Sequence, residues 1–445
     1  MRDSSTCLCA KSGVGRARNQ DSKGRESGTT SVGPGGEDYK QRSIEPLIVE
    51  TLRELPAALI VGPRATGKTT AALRHVASVV RLDRSEEAEI FRADPDAALR
   101  GLAEPVFLDE WQDVPDVLGA VKRAVDTDAR PGRFLLTGSV RDDLRSSARP
   151  GTGRVVRLTM FGMTIAEQLG RPGVVPLVDR LVRAEPLAVP ADPPDIRGYV
   201  ELGMRSGFPR AALWLSAGAR MRWIAGYIDQ LLTRDAVDLR GLRDPDRLRR
   251  YFEAFALNTA GVVDDLTLYE AAAIDRKTAL AYEQLLANLL VVERLPAWTS
   301  NRMKRLIRSP KRYIIDPALA AGTLRLDATA IARDGNLLGR FLDSFVAAQL
   351  RADAVRAETQ PRMYHLRQRQ GRHEIDMLAE IGGHRLIGIE VKAGATVTRA
   401  DAKHLSWLRD EVGDRFVAGV VLHTGSRVHE LDDRIVAAPI ATLWT

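Results

Sequence analysis

"GPRATGKT", Gly62 to Thr69, carries the clearest chemical signal in the chain. It has the pattern Gly, any four residues, then Gly-Lys-Ser/Thr. Such a loop turns its backbone N–H groups onto a phosphate, and a side chain on Gly67 would obstruct the approach. Lys68 would reach the β- and γ-phosphates of ATP, and Thr69 would hold Mg²⁺. The nucleotide-contacting set is Gly62, Pro63, Arg64, Ala65, Thr66, Gly67, Lys68, Thr69 and Thr70.

"VFLDE" supplies the second half of such a site. Asp109, at the end of an apolar run, can anchor the Mg²⁺ water shell. Glu110 can act as general base on the attacking water. The next apolar run ends in "LLTGS", which places Thr137 or Ser139 near the γ-phosphate as a polar sensor. Arg141, Arg145, Arg149 and Arg154 follow. Each reads as a solvated surface residue or as a finger that neutralises charge on a neighbour's nucleotide, with Arg154 the first choice for that role.

A third group lies in "HEIDMLAEIGGHRLIGIEVKAG", residues 373 to 394. Two apolar strands flank a Gly-Gly turn, yet Asp376, Glu390 and Lys392 interrupt them. Glu390 and Lys392 are two apart, so they share one face of a strand. The set reads as a metal-dependent centre, the remains of one, or a salt-bridged hairpin.

These residues need elements to position them. The runs "AALIV", "VVRLD", "PVFLDE", "RFLLTGSV" and "RVVRLTM" read as strands, separated by helical patterns such as "TTAALRHVASVV" and "VLGAVKRAVD". That alternation predicts a parallel sheet covered on both faces. Residues 165 to 250 read as mostly helical, with a Gly-Phe-Pro break at Gly207 to Pro209. Further on, the spacing predicts a short helix (Leu266 to Ala273), a tight break, a longer helix (Arg276 to Leu290) and a strand in "LVVERL". This is helix-turn-helix geometry with a wing. The wing loop "NRMKRLIRSPKR" carries Arg302, Lys304, Arg305, Arg308, Lys311 and Arg312. It reads equally as a phosphate-contacting run or as a solvated loop.

The chain has 445 residues, which exceeds one ordinary domain. Its composition is 44% hydrophobic and 28% charged, as in globular proteins. A net charge of +7 is compatible with a polyanionic partner and equally with an arginine-rich genome. The two cysteines, Cys7 and Cys9, lie in a Ser/Gly-rich tail read as disordered. They give the core no disulfide framework, so a reducing, cytoplasmic setting is expected. No apolar run approaches the roughly 18 residues that cross a bilayer, so no membrane partner is expected.

Together "LIVGPRATGKTT", "VFLDEWQDVP", "FLLTGSV" and "RSGFPRAALW" resemble prokaryotic AAA+ ATP-binding proteins that carry a C-terminal domain of unknown function. The resemblance runs from about Tyr39 to the C-terminus. It departs from the family at "LTMFGMTIAEQ", which lacks the proline usual after the last core strand. It implies an α/β fold with a P-loop AAA+ core, a helical lid, a winged-helix-like segment and a restriction-endonuclease-like C-terminal domain. The corresponding boundaries are a tail at 1–38, core at 39–165, lid or linker at 166–250, winged-helix-like segment at 251–329 and terminal domain at 330–445. The last domain then pairs Asp343, on a helix, with Asp376 and Glu390 as Mg²⁺ ligands, and Lys392 as the group that orients water. Asp343 is shorter than the glutamate expected there. Arg362, Arg367, Arg369 and Arg372 would hold a nucleic-acid backbone nearby.

These readings lead to an ATPase that couples hydrolysis to handling of DNA or RNA and self-associates with ATP. The alternatives are a nucleotide-regulated interaction switch with a silent nuclease-like domain, and a winged-helix regulator.

Overall fold

A computed structural model describes residues 39–139, 153–235, 244–300, 309–368 and 372–445. The tail, Arg141, Arg145, Arg149, Arg302, Lys304, Arg305, Arg308 and Arg369 lie outside the described residues. Lys40–Thr445 forms a single unit.

The first sheet contains β1 (Ala57–Val61), β2 (Ser78–Arg81), β3 (Val106–Asp109), β4 (Phe134–Gly138) and β5 (Val155–Thr159). The order is β2-β3-β4-β1-β5, and every pairing is parallel. β1, β3 and β4 are buried along their whole lengths. This is why their sequences run apolar residue after apolar residue rather than alternating, until Asp109 and Thr137 near the strand ends. Because the strands are parallel, Val61, Asp109 and Gly138 all end at one edge, and the loops that follow them meet there.

Next comes the predicted helix-turn-helix, with helices Asp265–Ala271 and Arg276–Asn288. Asp275 caps the second helix, accepting from the Thr278 amide at 3.0 Å. β6 (Val292–Leu295) and β7 (Lys311–Ile314) then form an antiparallel pair. The structure corrects the wing reading at two positions. Lys311 and Arg312 belong to β7 and are buried, with side chains 3% and 1% exposed. Neither can meet solvent phosphates. Arg312 donates to Glu283 of the second helix at 3.1 Å, to the Val263 carbonyl at 2.8 Å and to Asp265.

The C-terminal sheet has six strands: β8 (Arg362–Arg367), β9 (Glu374–Ile381), β10 (Arg385–Lys392), β11 (Phe416–His423), β12 (His429–Asp432) and β13 (Ile435–Pro439). Their order is β12-β13-β11-β10-β9-β8, with β10, β11 and β13 parallel and the other pairings antiparallel. The long helix Gly335–Arg356 packs Leu342, Phe345 and Val346 with Ile387 and Ile389. Leu405 and Leu408 of helix Lys403–Val412 pack instead with Leu386 and Phe416, on the opposite face.

The segment expected as one lid is shared between two cores. Leu177, Tyr199 and Val200 pack with Phe341, Phe345 and Trp444 of the C-terminal half. Phe208, Ile224, Ile228 and Leu231 pack with Tyr251, Phe252 and Leu285 beside the helix-turn-helix. The Gly-Phe-Pro break lies where the chain crosses from one to the other.

Candidate functional site

The loop after β1 turns sharply because two positions tolerate no ordinary residue. A Cβ on Gly62 would strike the Met160 carbonyl, and Gly67 has a φ of +88°. Gly67 also caps helix Lys68–Ala72. Lys68 is buried and donates from Nζ to the carbonyls of Gly62 and Pro63, at 3.0 and 2.9 Å. Burial lowers its pKa to about 8, against the opposing pull of Glu110 and Asp109. Thr66 is buried and donates to the Pro63 carbonyl at 2.8 Å, while Arg64, Ala65 and Thr70 are exposed.

Asp109 and Glu110 stand beside this loop. Thr69 Oγ1 donates to Asp109 Oδ1 at 2.9 Å, and Thr137 donates to the same oxygen. Burial raises the Asp109 pKa, with those two hydroxyls working against the shift. Glu110 has a left-handed backbone, φ +51°, which a non-glycine residue adopts at a cost. Its Oε2 accepts from Gln112 Nε2 at 2.5 Å and from Ser139 Oγ at 3.2 Å. Thr137 and Ser139 thus hold the two carboxylates. The sequence reading gives Thr137 or Ser139 as the polar sensor and passes over Gln112.

Three further groups brace the loop. Arg42 donates from Nη1 to the Thr66 carbonyl at 2.7 Å, from Nη2 to the Phe161 carbonyl at 2.8 Å and from Nε to Glu167 at 3.1 Å. Tyr227 donates to the Arg64 carbonyl at 3.4 Å. Pro209, from the Gly-Phe-Pro break, lies against Gly67, since a Cβ there would sit 3.5 Å from its ring. No spacing in the sequence signals these contacts, which join residues far apart in the chain.

Arg154 lies elsewhere. It precedes β5 at the opposite edge, where Val155 pairs with Ala57 while Thr159 pairs with Val61 beside the loop. About 13 Å of strand therefore separates it from its own phosphate loop. Arg154 is paired with Asp126 at 2.8 Å.

In the C-terminal sheet, β9 has two residues, Asp376 and Met377, opposite the single His365 of β8. This bulge breaks the alternation, so Ile375 and Leu378 share a face. Asp376 accepts from Lys311 Nζ at 3.0 Å and from the Val391 amide at 3.0 Å. Asp343 accepts from the same Nζ at 2.5 Å and from the Tyr313 hydroxyl at 2.9 Å. Burial opposes the Lys311 charge, but Asp343 and Asp376 outweigh it and keep the ammonium well above its ordinary pKa. Burial pushes Asp343 up to about 6, and Lys311 opposes that rise. Glu390 pairs with Lys392 at 2.9 Å. By alternation with Leu386, both face helix Lys403–Val412, away from Asp343. Glu390 Oε1 is buried without a donor, and burial pushes its pKa up to about 7. Lys311 thus joins Asp343 and Asp376, Glu390 pairs with Lys392, and Asp376 lies close enough to Glu390 and Lys392 to act on both charges. Arg362, Arg367 and Arg372 are exposed.

Comparison with known proteins bears on the first of these sites. Residues 55–169 match the family model of an AAA domain. This part of the chain is an AAA-type P-loop domain. Residues 196–330 match a domain of unknown function, DUF8612, and residues 338–443 match another, DUF4143. The chain is 29% identical over 400 residues to uncharacterized proteins Mb2031c of Mycobacterium bovis and Rv2008c of Mycobacterium tuberculosis, covering 88% of this chain and 82% of theirs. Among solved structures, the Walker-type ATPase PABY2304 of Pyrococcus abyssi is 16% identical, with a TM-score of 0.43, over 66% of this chain and 99% of that one. The Orc1 protein of Aeropyrum pernix, solved with DNA, is 13% identical, with a TM-score of 0.24, over 65% of this chain and 92% of that one.

The AAA domain brings Lys68, Thr69, Asp109, Glu110, Thr137 and Ser139 together at one sheet edge. Among the described residues, no helix is long and apolar enough to cross a membrane.

Proposed function

We propose that the protein hydrolyses ATP with Mg²⁺ and couples the cycle to handling of nucleic acid. The observation that carries the ATPase reading is the meeting of Lys68, Thr69, Asp109 and Glu110 at the strand ends. Lys68 now donates to two loop carbonyls. Phosphate oxygens are stronger acceptors, so they would draw the ammonium outward and restore its full charge. Thr69 and Asp109, already in contact, are the pair that would hold Mg²⁺, whose charge would offset that of the phosphates. Glu110, steadied on Oε2 by Gln112 and Ser139, would take the proton from water. Arg154 is too far from its own loop, so it would act on a neighbour's site in an ATP-dependent homo-oligomer.

The nucleic-acid part rests on exposed positive charge. Arg276 and Lys277 open the second helix of the helix-turn-helix, and both are exposed. Arg362, Arg367 and Arg372 add to the charge on the C-terminal sheet side. ATP turnover by the full chain with and without single-stranded, duplex and RNA oligonucleotides tests the coupling. Stimulation supports it, and identical turnover in every case rejects it.

A second reading, a nucleotide-regulated interaction switch with a silent nuclease-like domain, is favoured by the Lys311 contacts with Asp343 and Asp376.

A further inference from the structure

The sequence pattern of Asp343, Asp376, Glu390 and Lys392 predicts a divalent metal in the C-terminal domain, and the residues around it do not fit one. Lys311 Nζ lies 2.5 Å from Asp343 Oδ2 and 3.0 Å from Asp376 Oδ1. The two remaining oxygens are also taken. The Tyr313 hydroxyl donates to Asp343 Oδ1 at 2.9 Å, and the Val391 amide donates to Asp376 Oδ2 at 3.0 Å. Glu390, which should complete the ligand set, is paired with Lys392 at 2.9 Å. Among the described residues, no three His, Cys, Asp or Glu side chains are grouped to hold a metal ion.

We propose that Lys311 is the resident cation of this centre, its ammonium standing between Asp343 and Asp376 in place of a divalent metal and closing the domain to metal-dependent cleavage. Two carboxylates packed together need a positive charge between them. Lys311 provides it at hydrogen-bond distance. A divalent ion added beside it would set three positive charges against the two carboxylates. Metal could enter only if the ammonium left. The Lys311 side chain is only 3% exposed, so an ammonium that left the two carboxylates would give up its partners inside the fold.

The lysine comes from outside the C-terminal sheet, so the same contact is a joint. The connection after β6 reinforces it: the Trp298 amide donates to the His365 carbonyl at 2.6 Å, and the His365 amide donates to the Pro296 carbonyl at 3.0 Å. His365 is the residue opposite the bulge that carries Asp376. The bulge, the joint and the ion pair form one unit. Lys311 therefore fastens the helix-turn-helix segment to the sheet while it fills the centre.

This proposal rests on the silent-domain reading and not on ATP turnover. It is tested by Mn²⁺ binding to the full chain without nucleotide or nucleic acid, so that its failure is distinct from cleavage by other groups. Wild type and Asp376→Asn should give the same Mn²⁺ isotherm. Lys311→Met should melt several degrees lower in EDTA, gain a Mn²⁺ site and recover its melting temperature with millimolar Mn²⁺. Lys311→Met with Asp376→Asn should lose that response. A wild-type Mn²⁺ site that disappears in Asp376→Asn overturns the proposal. So does a Lys311→Met protein that melts like wild type and ignores Mn²⁺. Should Lys311→Met fail to fold, the comparison of wild type with Asp376→Asn decides alone.

Discussion

Ser139 holds Glu110 from the tip of the neighbouring strand, its hydroxyl donating to Oε2 at 3.2 Å. Glu110 directly follows β3 and Ser139 directly follows β4, so the parallel register sets the distance between them. Glu110→Gln should keep ATP affinity and lower turnover by about a hundredfold or more, the usual range for a general base. Ser139→Ala should lower kcat by about tenfold, near 1.4 kcal/mol, with little change in KM. Steady-state turnover and nucleotide binding measured on both variants check this. Wild-type kcat in Glu110→Gln would remove the base assignment.

Lys68 makes nucleotide binding depend on pH. Its pKa without nucleotide is about 8, lowered from 10.5 by burial. Between those values the unfolded chain holds more protons than the folded one. The stability contributed by this group therefore rises with pH across that window. Phosphate favours the charged form. ATP binding at about pH 9 should take up a proton, and affinity should fall as pH rises through about 8. Calorimetry in buffers of different ionisation enthalpy measures the uptake. Equal uptake at about pH 7 and about pH 9 would contradict the mechanism.

Arg154 and the phosphate loop occupy opposite edges of one sheet. Lys68→Ala and Arg154→Ala should each be nearly inactive alone. A mixture should regain turnover, because one supplies an intact loop and the other an intact arginine. A monomeric mass in ATP together with no recovery would exclude the shared site.

Arg312 and Glu283 form a buried pair, with side chains 1% and 4% exposed. Removing Arg312 leaves Glu283 with Arg294 and the Tyr251 hydroxyl, so what is lost is one buried charge-assisted contact and its packing. Arg312→Ala should therefore cost roughly 1.5–3 kcal/mol in urea unfolding. A loss below about 1 kcal/mol would show that the site collapses or hydrates freely. Arg276→Ala, on the exposed start of the same helix, should leave stability almost unchanged.

If the helix-turn-helix contacts phosphates, Arg276→Ala and Lys277→Ala should weaken binding on all sequences alike. Each should reduce the salt-dependence slope by about 1. Titrations of labelled duplex at several salt concentrations measure this. An unchanged slope would move the contact elsewhere.

The phosphate loop and the parallel sheet were legible because their constraints are local. Gly62 and Gly67 are required by backbone approach and a left-handed φ, and the buried strands had to be apolar along their lengths. The hairpin around Gly382 and Gly383 was legible for the same reason, a turn between two apolar runs. Which oxygen each hydroxyl would meet was not. The spacing points to Thr137 or Ser139 as a group near the γ-phosphate, and only packing decided that the two hydroxyls hold Asp109 and Glu110.

The sequence by itself determined which residues could bind phosphate and which strands had to be buried, since both follow from side-chain type at short spacing. The tertiary structure alone decided the partners of Arg42, Arg312 and Lys311. Arg42 meets Glu167 across 125 positions, and Lys311 meets Asp376 across 65. A basic residue next to a basic loop reads as solvated, and nothing within its window shows that it will be drawn inside. The bulge at Asp376 and the pairing of β7 with β6 place two carboxylates around Lys311. A buried charge must find its opposite, and only the assembled fold determines where that opposite lies.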